Sequence, residues 1–317
     1  MRYRTFGATD IELSALTFGS MRFAPKTPGA DATDGKRALE AALASGINAV
    51  HSSFEYGTRW AVGEVLRDHP KRLDVQHIIK APVPEFDEAG FSEASFCRMV
   101  EDALRETGAE RIAIVQHLQR GIGRDVINDA RGDPDRLAAM PEVNDKLAAA
   151  ADRLKVEGKI GALACFPYTE GFAGPAIASG IFDGVIAYFS LVETELVPHL
   201  PAMRERNMGF VTMRPLLQGL LTDKRRDRSA LVPDDPKRGP AFDEAYRRLR
   251  HLEAELAIDS LTTYAVRFAL ADPLTPSVIL SMNTEAQVEA ALAAAAEPPL
   301  PADIQTRVHA LNTASSA

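Results

Sequence analysis

"GINAVHSSFEYGTRWAVGEVL", residues 46–66, contains one complete unit of a fold. Its apolar opening reads as a short strand buried on both faces, and "TRWAVGEVL" reads as a helix. Between them, just past the strand end, stand His51, Glu55 and Tyr56. The same strand-then-helix grammar recurs along the chain. Strands are predicted at "SALTFG" (14–19), "NAVHSS" (48–53), "VQHIIK" (75–80), "RIAIVQHL" (111–118), "IGALACF" (160–166), "GVIAYFS" (184–190), "GFVTM" (209–213) and "SVILSM" (277–282). Helical patterns such as "DGKRALEAALASG", "SFCRMVEDALRETG" and "NDKLAAAADRLKVEG" lie between them and stop at Gly46, Gly108 and Gly158, where left-handed caps are expected. Eight strands alternating with helices call for a parallel sheet, and eight such units at this length fit one closed (β/α)8 TIM barrel spanning residues 1–317. An open doubly wound sheet is the competitor, but no G-x-G-x-x-G follows any predicted strand.

Bulk properties narrow the function. With 317 residues, 46% of them hydrophobic, the chain has ample material for a large core. A net charge of −8 argues against a nucleic-acid partner, which usually meets a basic face. No apolar run is long enough for a membrane span, and "MRYRTFGATD" lacks a signal-peptide core. Two cysteines, Cys97 and Cys165, make no disulfide framework, so a reducing, cytoplasmic setting is expected, with Cys165 in the core. His51, His77, His117 and His199 show no metal-ligand spacing, and no metal is expected. Oligomeric state leaves no mark in the sequence.

In a barrel, functional residues collect past the C-terminal strand ends. There the sequence puts His51, Glu55 and Tyr56 after the second strand, Lys80 after the third, His117 after the fourth and Arg214 after the seventh. Singly, Lys80 reads equally well as a rim lysine and His117 as a core histidine. Several ionisable groups on one face of adjacent strands favour a functional cluster. Trp60 reads as lining a pocket or packing a helix, and the long connection 119–143 as a lid or binding loop. The basic stretches "DKRRDR" (223–228) and "PKRG" (236–239) read either as a phosphate site or as a solvated loop.

Seven pieces of the chain, in order, resemble the aldo-keto reductase family: "YRTFGATDIELSALTFGSMRF", "GINAVHSSFEYG", "IIK", "RIAIVQHLQ", "LKVEGKIGALACF", "GFVTMRPLLQGLLTDK" and "VILSMNTEAQVEAAL". The resemblance implies a barrel that transfers hydride between NADP or NAD and a small carbonyl or sugar-like substrate. It implies Tyr56 as proton donor, Lys80 as its tuning cation and His117 as the residue orienting the carbonyl oxygen. It puts cofactor contacts at Gly19, Ser20, Met21, Phe189, Arg214, Leu216 and Gln287, with Phe189 as the aromatic that stacks on the nicotinamide. The family's aspartate, five residues before the tyrosine, is here His51, and Glu55 is the carboxylate placed to substitute for it. The family's serine-asparagine after strand five reads Phe166 and Pro167, its strand-six glutamine reads Ile186, and its closing asparagine in the eighth unit reads Ala291.

Two functions therefore stand. One is an NAD(P)H-dependent reductase with an altered site. The other is a non-redox acid/base enzyme (isomerase, lyase or hydrolase) that uses His51, Glu55, Tyr56, Lys80 and His117 on a barrel without nicotinamide binding. A binding protein without catalysis is the third and weakest reading, since binding alone does not require the tyrosine and lysine.

Overall fold

The structure is a computed structural model that describes residues 1–86, 88–120 and 130–316. Its centre is a closed barrel of eight parallel strands: β3 (Leu16–Gly19), β4 (Ala49–Ser53), β5 (Gln76–Pro82), β6 (Ile112–Leu118), β7 (Ile160–Cys165), β8 (Gly184–Tyr188), β9 (Gly209–Met213) and β10 (Val278–Ser281). Each matches a predicted strand, with ends moved by one or two residues. An antiparallel hairpin, β1 (Tyr3–Thr5) and β2 (Glu12–Ser14), precedes the barrel. The outer layer comprises α1 (Thr33–Ala44), α2 (Arg59–Leu66), α3 (Glu93–Thr107), α4 (Asp133–Val156), α5 (Glu170–Ala178), α6 (Leu200–Glu205), α7 (Asp243–Glu255), α8 (Leu261–Ala269), α9 (Glu285–Ala296) and α10 (Ile304–Ser316). Among the described residues no helix is long and apolar enough to cross a membrane.

Strand alternation sorts the apolar residues into two layers. Ala49, Ile78, Ile114, Ala162, Ile186, Val211 and Ile279 fill the barrel interior. Val50, Ile79, Val115, Leu163, Val185 and Phe210 face the helices. Phe6, Ile11 and Leu13 of the hairpin close the barrel floor from within the same inner cluster. Phe6 lies where Gly184 and Gly209 leave room: a Cβ on either glycine would come within 2.3 Å of the ring. The three expected glycine caps all take left-handed backbone, with φ of 89° at Gly46, 70° at Gly108 and 73° at Gly158.

The connection expected over 119–143 is corrected in its second half. Helix α4 begins at Asp133 and runs through Pro141, while residues 121–129 lie outside the described residues. Proline and glycine masked the helix in the sequence. Asp133 and Asp135 favour its N-terminus electrostatically, and Met140, Val143 and Leu147 bury one continuous stripe.

Candidate active site

Register decides which polar residues reach the barrel mouth. In parallel pairing, residues opposite one another share a face, so Ser53, Lys80, Gln116 and Ala164 form one inward level. His51 points inward one level below, beside Ile78. His117 pairs with Ala81 and Cys165, on the opposite face. Its Nε2 lies 3.0 Å from the Val83 carbonyl oxygen, and its ring packs edge-on against Phe91 and Phe96. Burial holds its pKa down to about 4, so it is a neutral core histidine under α3. The carbonyl-orienting role expected of His117 is therefore corrected: alternation turns it away, and Gln116 takes the inward place.

Phe189 is corrected for the same reason. It is fully buried in the outer layer, stacked on Phe268 at 5.3 Å and edge-on to Phe210. The inward aromatic is its neighbour Tyr188, edge-on to Phe166 at 5.0 Å. The Arg214 guanidinium covers the Tyr188 ring at 3.8 Å. Arg214 is itself paired through two of its guanidinium nitrogens, Nε and Nη2, with Glu193.

Tyr56 closes a short 3-10 turn, Phe54–Tyr56, capped by the Ser53 side chain and ended by left-handed Gly57. That turn brings the tyrosine back over the mouth, where Lys80 Nζ lies 5.3 Å from its ring centre and 5.9 Å from that of Phe166. The expected Tyr56–Lys80 pair thus assembles. Burial, then Tyr188 and Glu55, push the Tyr56 phenol well above its ordinary range, which keeps it protonated. Lys80 is only 8% exposed, and no ion pair to it is found among the described residues. Burial brings its pKa down to about 8; Glu55 works against that fall, while Arg120 and Arg214 add to it.

Glu55 stands near Lys80, but its carboxylate goes to Arg120, which donates to Oε1 at 2.6 Å. Arg120 also hydrogen-bonds Tyr168, whose ring lies edge-on to Phe166 at 4.9 Å. His51 Nε2 lies 3.1 Å from Gln116 Oε1. Burial, then Lys80, hold the His51 pKa down to about 3, so it is neutral. His51 therefore supplies no negative charge to Lys80.

The cofactor candidates follow the rim across three neighbouring strand ends. Gly19 of β3 pairs with Ser281 of β10, so closely that a Cβ on Gly19 would meet the Leu280 carbonyl oxygen at 2.9 Å. Ser20 is buried; its N–H donates to the His51 carbonyl oxygen, and its hydroxyl has no partner among the described residues. Met21 is half exposed, and Leu216 packs on the outer core. Gln287, in the first turn of α9, accepts from the Asn283 N–H at 2.7 Å. Phe166 and Ile186 are buried in the inner apolar cluster, and Ala291 is buried on α9. Trp60 packs against the outer core and donates to the Pro25 carbonyl oxygen. Cys165 is buried, its thiol pushed up to about 12 by burial.

Most arginines of the basic loop are engaged: Arg225 with Asp235, Arg226 with Glu253, and Arg228 with Asp243. Arg226, Arg228, Arg238 and Arg250 line an open cavity of about 830 Å³ against α7. Lys237 differs. It is 6% exposed, its ammonium meets Gln218 Oε1 (3.3 Å) and the Phe242 ring among the described residues, and it is repelled by Arg225, Arg22 and Arg214. Burial and then these cations lower its pKa, with Asp235 opposing. Sequence reasoning missed Gln116, Arg120, Tyr168 and Tyr188. Counting by twos along "IVQHL" and "VIAYF" was the available signal for Gln116 and Tyr188.

Residues 177–313 match the model of the Aldo/keto reductase family. That stretch includes β8, β9 and β10 and excludes Tyr56 and Lys80. Over 307 residues the chain is 24% identical to L-galactose dehydrogenase of Arabidopsis thaliana, covering 93% of this chain and 88% of that protein. The barrel superposes on the holo form of aldo-keto reductase AKR11C1 from Bacillus halodurans with a TM-score of 0.74, at 22% identity over 98% of this chain and 96% of that one. It superposes on glycerol dehydrogenase AKR11B4 from Gluconobacter oxydans with a TM-score of 0.71, at 20% identity over 99% and 95%. The two superpositions carry the fold, and the family match covers its C-terminal part. The chain is thus similar to the Aldo/keto reductase family in its C-terminal part, and over nearly its whole length to proteins named as dehydrogenases and aldo-keto reductases.

Proposed function

We propose that the protein reduces a small aldehyde or ketone with NADH or NADPH, with Tyr56 as proton donor and Lys80 as the cation beside it. The observation that carries this reading is the pair itself: a phenol held protonated by burial, with a buried ammonium 5.3 Å from its ring and, among the described residues, no carboxylate paired to that ammonium. A carbonyl that becomes an alkoxide needs a proton, and Tyr56 starts in the form that can give it. The phenolate left behind is stabilised by Lys80, whose charge acts more strongly in a mouth walled by Phe166, Tyr188 and Tyr56 than in water. Arg120, Glu55 and Tyr168 supply a polar side to the pocket. Together with relatives named for L-galactose and glycerol, they support a hydroxylated, sugar-like substrate.

The residues fit a dinucleotide at its phosphates. Lys237 is a buried cation surrounded by further cations, the arrangement an anion relieves, and Arg22 and Gln218 stand with it. Two buried polar atoms, Ser20 Oγ and Asn283 Oδ1, lack partners among the described residues and follow neighbouring strands β3 and β10. When bound, the nicotinamide supplies the hydride. The chain offers its ring apolar and aromatic walls, without the carboxamide hydrogen bonds that Phe166, Pro167 and Ile186 have replaced.

That loss, with Arg214 covering the Tyr188 face, favours the second reading: proton-transfer chemistry without redox. Titration with NADPH and NADH, followed by fluorescence and calorimetry, separates the two. Micromolar binding that Lys237→Gln weakens at least tenfold supports the reductase, and turnover on a panel of hydroxylated carbonyls follows. No binding up to millimolar concentration overturns it in favour of non-redox acid/base chemistry.

A further inference from the structure

The barrel interior beside and below Lys80 holds a polar pair that the family resemblance does not contain. His51 comes from β4 and Gln116 from β6, and both are essentially inaccessible to solvent. Gln116 Nε2 donates to the Ile186 carbonyl oxygen at 2.8 Å and lies 3.3 Å from the Met213 sulfur. A backbone carbonyl can only accept, so this bond fixes which way the Gln116 amide faces. Reversing the amide would set two oxygens against each other in a dry interior, at the expense of a buried hydrogen bond.

With the amide fixed, the atom 3.1 Å from His51 Nε2 is the carbonyl oxygen of Gln116, which again only accepts. His51 must therefore carry its proton on Nε2. Because the ring is neutral, Nδ1 is left as a lone-pair acceptor. The ring meets Tyr56 edge-on at 6.1 Å and lies under the field of Lys80. We propose that Gln116 is a positioning residue that locks His51 in the neutral Nε2–H tautomer, so that Nδ1 is a permanent neutral acceptor below Tyr56 and Lys80. The chain of constraint runs from the Ile186 carbonyl through the Gln116 amide to the imidazole. An acceptor without charge stands where the resemblance expects a carboxylate, and no counter-ion of Lys80 is found among the described residues. The role in turnover rests on the proposed reduction, whereas the tautomer itself does not.

The test is nitrogen NMR on full-length protein labelled with 15N-histidine, with His51 assigned by its loss in His51→Asn. The expected spectrum has His51 protonated on Nε2, bare on Nδ1 and unchanged from about pH 5 to about pH 9. In Gln116→Leu, which keeps bulk but removes the acceptor, His51 is expected to shift toward Nδ1–H or a mixture of tautomers. A wild-type His51 that is Nδ1–H, mixed or protonated overturns the proposal, as does a tautomer unmoved in Gln116→Leu. Should Gln116→Leu fail to fold, Gln116→Glu serves. A carboxylate there draws a second proton onto His51 near neutral pH, and an imidazole still unprotonated at about pH 6 overturns the contact. If the tautomer behaves as expected but no dinucleotide binds, the proposed reduction fails and the lock stands.

Discussion

Lys80 allows a quantitative test of the site, because burying its ammonium costs the fold stability. Its pKa falls from 10.5 to about 8, which at about 1.4 kcal/mol per unit corresponds to about 3 kcal/mol. Below about pH 8 the ammonium is charged in both the folded and the unfolded chain, and that cost is fully present. Between about pH 8 and 10.5 the folded chain loses the proton first, the unfolded chain binds more protons, and stability rises with pH. Above 10.5 the lysine is neutral in both states and the cost is gone. Lys80→Met keeps the stem and removes the charge. It is expected to be more stable than wild type by up to about 3 kcal/mol at pH 7, with the gain fading toward pH 10.5, while turnover is lost. Urea unfolding of both proteins at about pH 7 and about pH 10 measures it. A Lys80→Met protein less stable at pH 7, or a difference that ignores pH, would refute the reasoning by showing that the ammonium is well paired.

Tyr56→Phe keeps the ring over the mouth and removes the proton, so kcat should drop by about 10²- to 10⁴-fold with the circular dichroism unchanged; activity within tenfold of wild type would remove Tyr56 from the chemistry. His51→Asp introduces a carboxylate beneath Lys80 and should raise the lysine's pKa by about one unit or more, moving the alkaline limb of the pH–rate profile upward without improving the native reaction. Should carbonyl reduction rise strongly, the histidine is only a weakened substitute for aspartate. Gly35→Ala ordinarily favours a helix by about 1 kcal/mol, but in α1 the new methyl would lie 1.6 Å from the Phe23 carbonyl oxygen. It is expected to destabilise by about 1–3 kcal/mol, and an unchanged urea midpoint would show that the contact yields.

The barrel was legible because a strand buried on both faces must be apolar at nearly every position. That is the pattern of "HIIK", "RIAIVQHL" and "GVIAYF". The same property concealed the site. A strand apolar at nearly every position marks its inner face weakly, so the sequence reading took His117 and Phe189, and the register turns Gln116 and Tyr188 inward instead. Tyr56 and Lys80 were legible because a turn and a strand end fix them locally. The partnerships of Glu55 with Arg120 and of His51 with Gln116 each bridge 65 residues, a distance at which one sequence carries no pairing signal. Pro141 disguised the front of α4, where buried Met140 and Val143 outweigh the lost backbone hydrogen bond.

The seat of Phe6 has a consequence for biosynthesis. The ring fits against Gly184 and Gly209, which leave the ribosome roughly 180 to 200 residues later. Until then the first hairpin has no surface to dock on, and Phe6, Ile11 and Leu13 stay exposed on the nascent chain. At about 5–20 residues per second that interval lasts on the order of ten seconds or more. The hairpin is thus made well before the surface that secures it. Until Gly209 is made, the bottom of the barrel leaves three large apolar side chains for a chaperone to cover.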